Sequence, residues 1–262
     1  MANRSFKPVE PSPDDLAAFS QVLLILEERL DWVALGQAHC LEGGEDFFDA
    51  AQREAIQDTG LHFAGDLGER LESGGRSLYV GAGVAELVPM VFESIVLRRD
   101  VRAVCLPGSI ADELNAGLKV ARAETSRKIP VIETRLWQSD DHRPIDHLWM
   151  VSVLTDPEAF PALHDRLYER RGTELATRKG SINKERPKAQ ALIERALGAV
   201  VTPAWLATTD EELELIVPAA SARGIHVQIP ESGRLSAVVG DSVRLCRLVR
   251  PGALRKKEDR RQ

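Results

Sequence analysis

Between Ser77 and Val96 the chain reads SLYVGAGVAELVPMVFESIV, and no other stretch limits its fold as strongly. Four residues of strand character enter a Gly-x-Gly turn. Apolar residues then recur at helical spacing, at Val84, Leu87, Val88, Val91 and Ile95, so the segment predicts a strand, a glycine turn and a helix. Gly81 and Gly83 carry no Cβ to block close approach, and a helix beginning beside them offers unpaired N–H groups. In α/β folds such a junction is a place for a ligand. The plainer alternative is a tight β–α connection that binds nothing. Glu86 stands where the dinucleotide fingerprint needs its third glycine, which argues against NAD or FAD. A second pattern, Gly-x-Gly-x-Ala, is met by Gly81, Gly83 and Ala85.

From Ser77 onward strand and helix patterns alternate, which predicts an α/β fold with a doubly wound, mainly parallel sheet. A second strand is expected at 101–106, ended by Pro107-Gly108, and a third at 129–137, followed by Ser139-Asp140-Asp141. The fourth, 147–154, is almost continuously apolar, as suits a strand covered on both faces. After it, Asp156-Pro157 reads as an N-cap and first helical residue. Residues 178–188 carry five basic side chains, one acid and a proline and read as a loop. Pro203 is expected to open the fifth strand, because proline is poorly tolerated inside a central one. A helix over 210–223 should end at Gly224. Short strands at 225–229, 234–239 and 242–249, separated by turn sequences, predict an antiparallel hairpin or meander that finishes the parallel sheet.

Ahead of this region, residues 1–72 hold no strand signal and read as a helical segment lying against the main domain of 73–250, either covering its core or roofing a site. Ser12 or Asp14 should cap its first helix, whose apolar face is Leu16, Phe19, Leu23, Leu26 and Leu30. Asp46 should cap a second helix that runs through Ile56 and ends at Gly60. The formal charge is -6, but the basic end 251–262, expected to be a solvated disordered tail, carries +3 and leaves -9 on the body. An acidic body argues against broad nucleic-acid binding. No signal pattern and no apolar run of membrane-spanning length is present. Cys40, Cys105 and Cys246 are far apart and lie among apolar residues, which suggests neither a disulfide framework nor a metal site, so a cytoplasmic setting is expected. His39, His62 and the acids near them have no metal-ligand spacing.

The turn at Gly81, Ala82, Gly83 and Ala85, with five β–α units and an antiparallel ending, resembles the class I S-adenosylmethionine-dependent methyltransferases over about two thirds of the chain. The resemblance implies S-adenosylmethionine as cofactor and methyl transfer as activity, to a small-molecule or protein acceptor. In that family the glycine turn faces the methionine part of the cofactor. An acid after the second strand holds the ribose hydroxyls, and one after the third meets the adenine amine. Asp140 or Asp141 matches the last of these. Two positions depart: Tyr79 stands two residues before the first glycine, where the family has an acid, and Leu106-Pro107 follow the second strand without a carboxylate. Glu86, Glu93 and Asp112 are the helix-borne acids left to substitute.

The same departures motivate an alternative, a non-catalytic binding or assembly module on this fold. Methyl transfer needs alignment and, for some acceptors, a base; His142 and His147 are the candidates, with Asp141 near the same sheet edge. A further reading makes 178–188 an anion-recognition element, against the plain one of a solvated loop. No Gly-x-Ser-x-Gly elbow, P-loop or paired-Cys zinc pattern occurs.

Overall fold

The computed structural model describes residues 11–40, 44–105, 109–134, 143–169 and 180–250. The chain divides into two units, Met1–Gln138 with Ser236–Gly240, and Ser139–Leu235 with Asp241–Gln262.

In the first unit Ser12 caps α1 (Pro13–Arg29), its hydroxyl accepting the Asp15 N–H, with proline at the first helical position. Of the expected apolar face of α1, Phe19, Leu23, Leu26 and Leu30 are buried while Leu16 is exposed, and the helix packs on α4 (Leu87–Ile95) and α5 (Ser109–Thr125), where Phe19 meets Phe92 edge to face at 5.6 Å. Buried Asp15 fixes the start of α1 by receiving Arg98 at 2.6 Å and Arg127 at 3.0 Å. After α2 (Trp32–His39) the cap of the next helix differs from expectation. Gly44–Asp46 forms a single 3-10 turn, and Asp49 caps α3 (Ala50–Arg70) by accepting the Gln52 N–H at 2.8 Å. Nor does Gly60 end that helix. A Cβ there would lie 2.5 Å from the Val88 Cβ, so the glycine marks the close approach of α3 to α4 and the helix continues for ten residues beyond it.

β1 (Arg76–Val80), β2 (Asp100–Val104) and β3 (Ile132–Glu133) run parallel in the order β3-β2-β1. Of the expected 129–137, only Ile132–Glu133 pairs as a strand within 129–134, and 135–137 lie outside the described residues. β3 is the sheet edge, and the Asn115 amide of α5 covers it: it donates to the Ile132 carbonyl at 2.8 Å and accepts the Ile132 N–H at 2.9 Å, so a side chain stands where a further strand would pair. Arg102 forks onto Glu133 with two contacts of 3.1 Å and ties β2 to β3.

In the second unit β4 (Ile145–Met150) lies parallel to β5 (Val200–Thr209), and β5 pairs antiparallel with β8 (Ser242–Val249). The other edge of β8 takes β6 (His226–Gln228) and β7 (Arg234–Leu235), both antiparallel. Pro203 does not open β5 but sits inside it. Between the pairs Ile145↔Val200 and His147↔Trp205 the register slips, so the proline occupies an irregularity where no ladder N–H is required of it. Asp156 also differs: its carboxylate accepts the N–H groups of Glu158 and Ala159, which builds a turn, and α6 (Pro161–Leu167) starts later. The basic stretch is not a loop from residue 182 onward, because α7 (Ile182–Ala199) begins there and carries Pro187 inside it. α8 (Asp210–Ala222) ends before Gly224, whose φ of 67° supplies the left-handed exit. Mainly parallel pairing that finishes in antiparallel strands is the α/β architecture the sequence predicts.

Candidate functional site

The carboxyl end of β1 leads into the glycine turn. Gly81 takes φ 78°, a conformation that side chains with a Cβ resist. Its N–H and that of Ala82 both donate to the Val104 carbonyl at the end of β2, at 2.8 and 3.1 Å. The Gly83 N–H donates to the Glu86 carboxylate at 2.9 Å. Three successive donors of the turn are thus engaged by the protein itself. The turn is therefore not a phosphate cradle, which needs such N–H groups directed at the ligand. What it offers instead is a carboxylate, nearly buried, beside an open glycine: a Cβ on Gly83 would meet nothing nearer than Glu86 Oε2 at 3.4 Å. A carboxylate in a poorly solvated turn favours a cation.

Tyr79, two residues before Gly81, does not face that turn with a polar group. Its hydroxyl donates to Glu93 of α4 at 2.5 Å, and the ring is fully buried. Burial, reinforced by the Glu93 charge, holds the phenol well above its usual range and therefore protonated. Glu93 also receives the Ser77 hydroxyl and the Arg99 Nε, the latter at 2.9 Å, while Arg99 reaches the carbonyls of Glu72 and Arg76. Where the resemblance implies an acid two residues before the first glycine, the chain has Tyr79, tied into a core network with Ser77, Glu93 and Arg99. Glu93 is thereby removed from the acids left to substitute. Burial first, and then the Asp112 charge, push up the thiol of Cys105, just past the end of β2, to about 11. Leu106, Pro107, Asp140, Asp141 and His142 lie outside the described residues.

In the second unit the chain leaving β4 carries a polar cluster that the sequence did not announce. Ser152 has φ 55°, uncommon for a residue with a side chain, and its hydroxyl donates to Asp241 at 3.2 Å. Tyr168 donates its hydroxyl to the same carboxylate oxygen. Burial first, and then Asp241, push the Tyr168 phenol above its ordinary range, so it is a donor at neutral pH. His164 donates from Nδ1 to the Thr155 carbonyl at 2.5 Å, and its Nε2 is buried without a hydrogen-bond partner among the described residues. Glu212, at the first turn of α8, is fully buried and accepts the Leu154 N–H at 2.6 Å and the Thr208 hydroxyl at 2.9 Å. Burial raises its pKa from 4.5 to about 7.

The only signals for this cluster were His164 and Tyr168 four residues apart and an aspartate after Gly240, each common in turns and helix ends. His147, by contrast, was legible as a residue but not in its position. It is fully buried in β4, edge-on to Trp149 at 6.1 Å, so the structure gives it a place in the core rather than at a cleft. Burial also lifts Cys246 to about 12, and neither Cys105 nor Cys246 is a thiolate at neutral pH. Among the described residues no three His, Cys, Asp or Glu side chains could hold a metal ion, and no helix is long and apolar enough to cross a membrane.

No family model and no curated protein matches the chain. Solved structures do. A methyltransferase from Pyrococcus furiosus aligns with a TM-score of 0.45 and 12% identity, over 73% of this chain and 83% of that one. A precorrin-6y C5,15-methyltransferase from Geobacter metallireducens aligns at 0.42 and 11%, over 76% and 86%. Fibrillarin from Aeropyrum pernix, in complex with natively bound S-adenosyl-L-methionine, aligns at 0.43 and 10%, over 74% and 76%.

Proposed function

We propose that the chain is an S-adenosylmethionine-dependent methyltransferase whose turn at Gly81, Ala82 and Gly83 receives the cationic methionine end of the cofactor, with Glu86 as the countercharge. One observation carries the reading: an open glycine turn at the carboxyl end of β1 whose own N–H groups are engaged and whose side-chain group is an acid. Anionic ligands are disfavoured there, and a sulfonium or ammonium is matched. When bound, the cofactor supplies an activated methyl group for in-line displacement. The protein's part is to align the acceptor and exclude water. Gly83 leaves room above the turn, Ala85 keeps the next position small, and Glu86 fixes the orientation of the charged end. The acceptor is a small molecule or a protein. The remaining adenosine contacts are assigned to Leu106, Pro107 and Asp140 or Asp141, as the resemblance implies.

A second reading, a non-catalytic binding or assembly module, draws on Tyr79 being bound into the Glu93 network where an acid is expected. Calorimetric titration with S-adenosylmethionine and S-adenosylhomocysteine separates the two. Micromolar binding is expected for the native chain, with at least tenfold weakening in Gly83→Val and Glu86→Gln at unchanged circular dichroism. Glutamine can still accept the Gly83 N–H, so Glu86→Gln removes charge and little else. No heat at millimolar cofactor would overturn the enzyme reading in favour of the module.

A further inference from the structure

In the second unit a groove of about 460 Å³ opens between α6 and α7, lined by Arg166, Ile182, Asn183, Arg186, Pro187 and Gln190. Its volume lies within the range of small-ligand sites. Its lining brings together two arginines from two different helices, the amide side chains of Asn183 and Gln190, and the apolar Ile182 and Pro187.

The frame that holds these groups is built by one buried acid. Glu185, next to Arg186, accepts the N–H groups of Ala162 and Leu163 in the first turn of α6, at 2.8 and 3.0 Å, and that of Ser181 at 2.8 Å. This carboxylate pins the start of α7 to the start of α6. Gly180 permits the approach: φ is 134°, and a Cβ would stand 2.7 Å from Glu185 Oε1 and 2.9 Å from the Ala162 nitrogen. Glu185 directs both carboxylate oxygens to these three backbone donors rather than to the arginine beside it. Arg166 has a neighbouring acid, Glu214 at 3.6 Å, but both side chains are more than half exposed and such pairs are weak. Arg186 makes no ion pair among the described residues. Lys184 and Lys188 add charge on the same turns of α7.

The geometry points to a binding site for an organic phosphate monoester, its dianionic group forked by Arg166 and Arg186 and its organic part lying on Ile182 and Pro187. Two planar guanidinium groups match a phosphate better than a carboxylate, which one arginine satisfies. The site is independent of the cofactor reading, since every residue in it belongs to the second unit.

The test titrates the full chain with phenyl phosphate, followed by calorimetry and by phosphorus NMR line broadening. Saturable one-to-one binding at submillimolar concentration is expected. Arg186→Gln and Arg166→Gln should each weaken it at least tenfold, whereas Lys184→Gln, which does not line the groove, should change it less than twofold. Arg186 is exposed, so its variant should keep the native melting temperature. The proposal is overturned by absent or unsaturable binding, by equal loss in all three variants, which would mean diffuse charge, or by a single-stranded oligonucleotide binding far more tightly than phenyl phosphate. Binding of S-adenosylmethionine with none of phenyl phosphate would sink this site and leave the methyltransferase reading standing.

Discussion

Arg99 shows at the scale of one residue how this chain tolerates charge in its core. The side chain is 1% exposed, and its nitrogens meet Ser77, Glu93 and two backbone carbonyls. Arg99→Met should cost about 3–5 kcal/mol, because it strands the Glu93 carboxylate in a dry site, while the double change Glu93→Leu, Arg99→Met should recover much of that loss. Urea denaturation of the single and double variants checks both. Glu212 is the complementary case, a buried acid with no ion-pair partner among the described residues. Its folded pKa of about 7 lies above the ordinary 4.5, so the folded state binds this proton more tightly than the unfolded chain. The group's contribution is fully present below about pH 4.5 and is lost as pH rises through 7, a change of roughly 3 kcal/mol. Gln can accept from the Leu154 N–H and donate to the Thr208 hydroxyl, so Glu212→Gln should flatten the fall in stability between pH 5 and 8. An unaltered profile would show that Glu212 does not titrate there.

Helices and strands show a different balance between local signal and packing. The Ser12 cap, the α1 face apart from exposed Leu16, and the Gly224 exit formed as read, because each depends on residues within a turn or two. Gly60 was misread, since a helix stop and a helix contact call for the same residue. Placing alanine there should force α3 and α4 apart and cost about 1–3 kcal/mol, although alanine is the better helix former in isolation. A stabilised Gly60→Ala in chemical denaturation would mean that Val88 yields without cost. Pro203 and Pro187 were likewise read by local rules, as a strand start and a loop. One is accommodated by a register slip against β4, the other by a helix whose beginning is anchored through Glu185 to α6. Neither accommodation is written near the proline.

For the molecule as a whole, cofactor binding should appear as stability. Ligand at about a hundredfold excess over Kd adds roughly 2.7 kcal/mol, which for a chain of this size raises Tm by roughly 5–10 °C. S-adenosylhomocysteine should produce that shift in the native protein and in Arg186→Gln, and not in Gly83→Val. Phenyl phosphate should do the reverse, stabilising Gly83→Val and not Arg186→Gln. The crossed pattern tests whether the two sites act independently.

The alternation of strands and helices, the glycine turn, the helical leader and the antiparallel ending are legible in the order of residues alone. Hydrophobic period, caps and glycine punctuation are local, and physical chemistry reads them over a few residues. Only the tertiary structure decided that Tyr79 gives its hydroxyl to Glu93, that Glu86 takes the Gly83 N–H, and that His147 is core. It alone gathered Ser152, Tyr168 and Asp241. These outcomes join residues from 3 to 89 positions apart. In the buried ones a polar side chain cut off from water must find a partner across the fold, and which partner it finds is a property of packing rather than of sequence spacing.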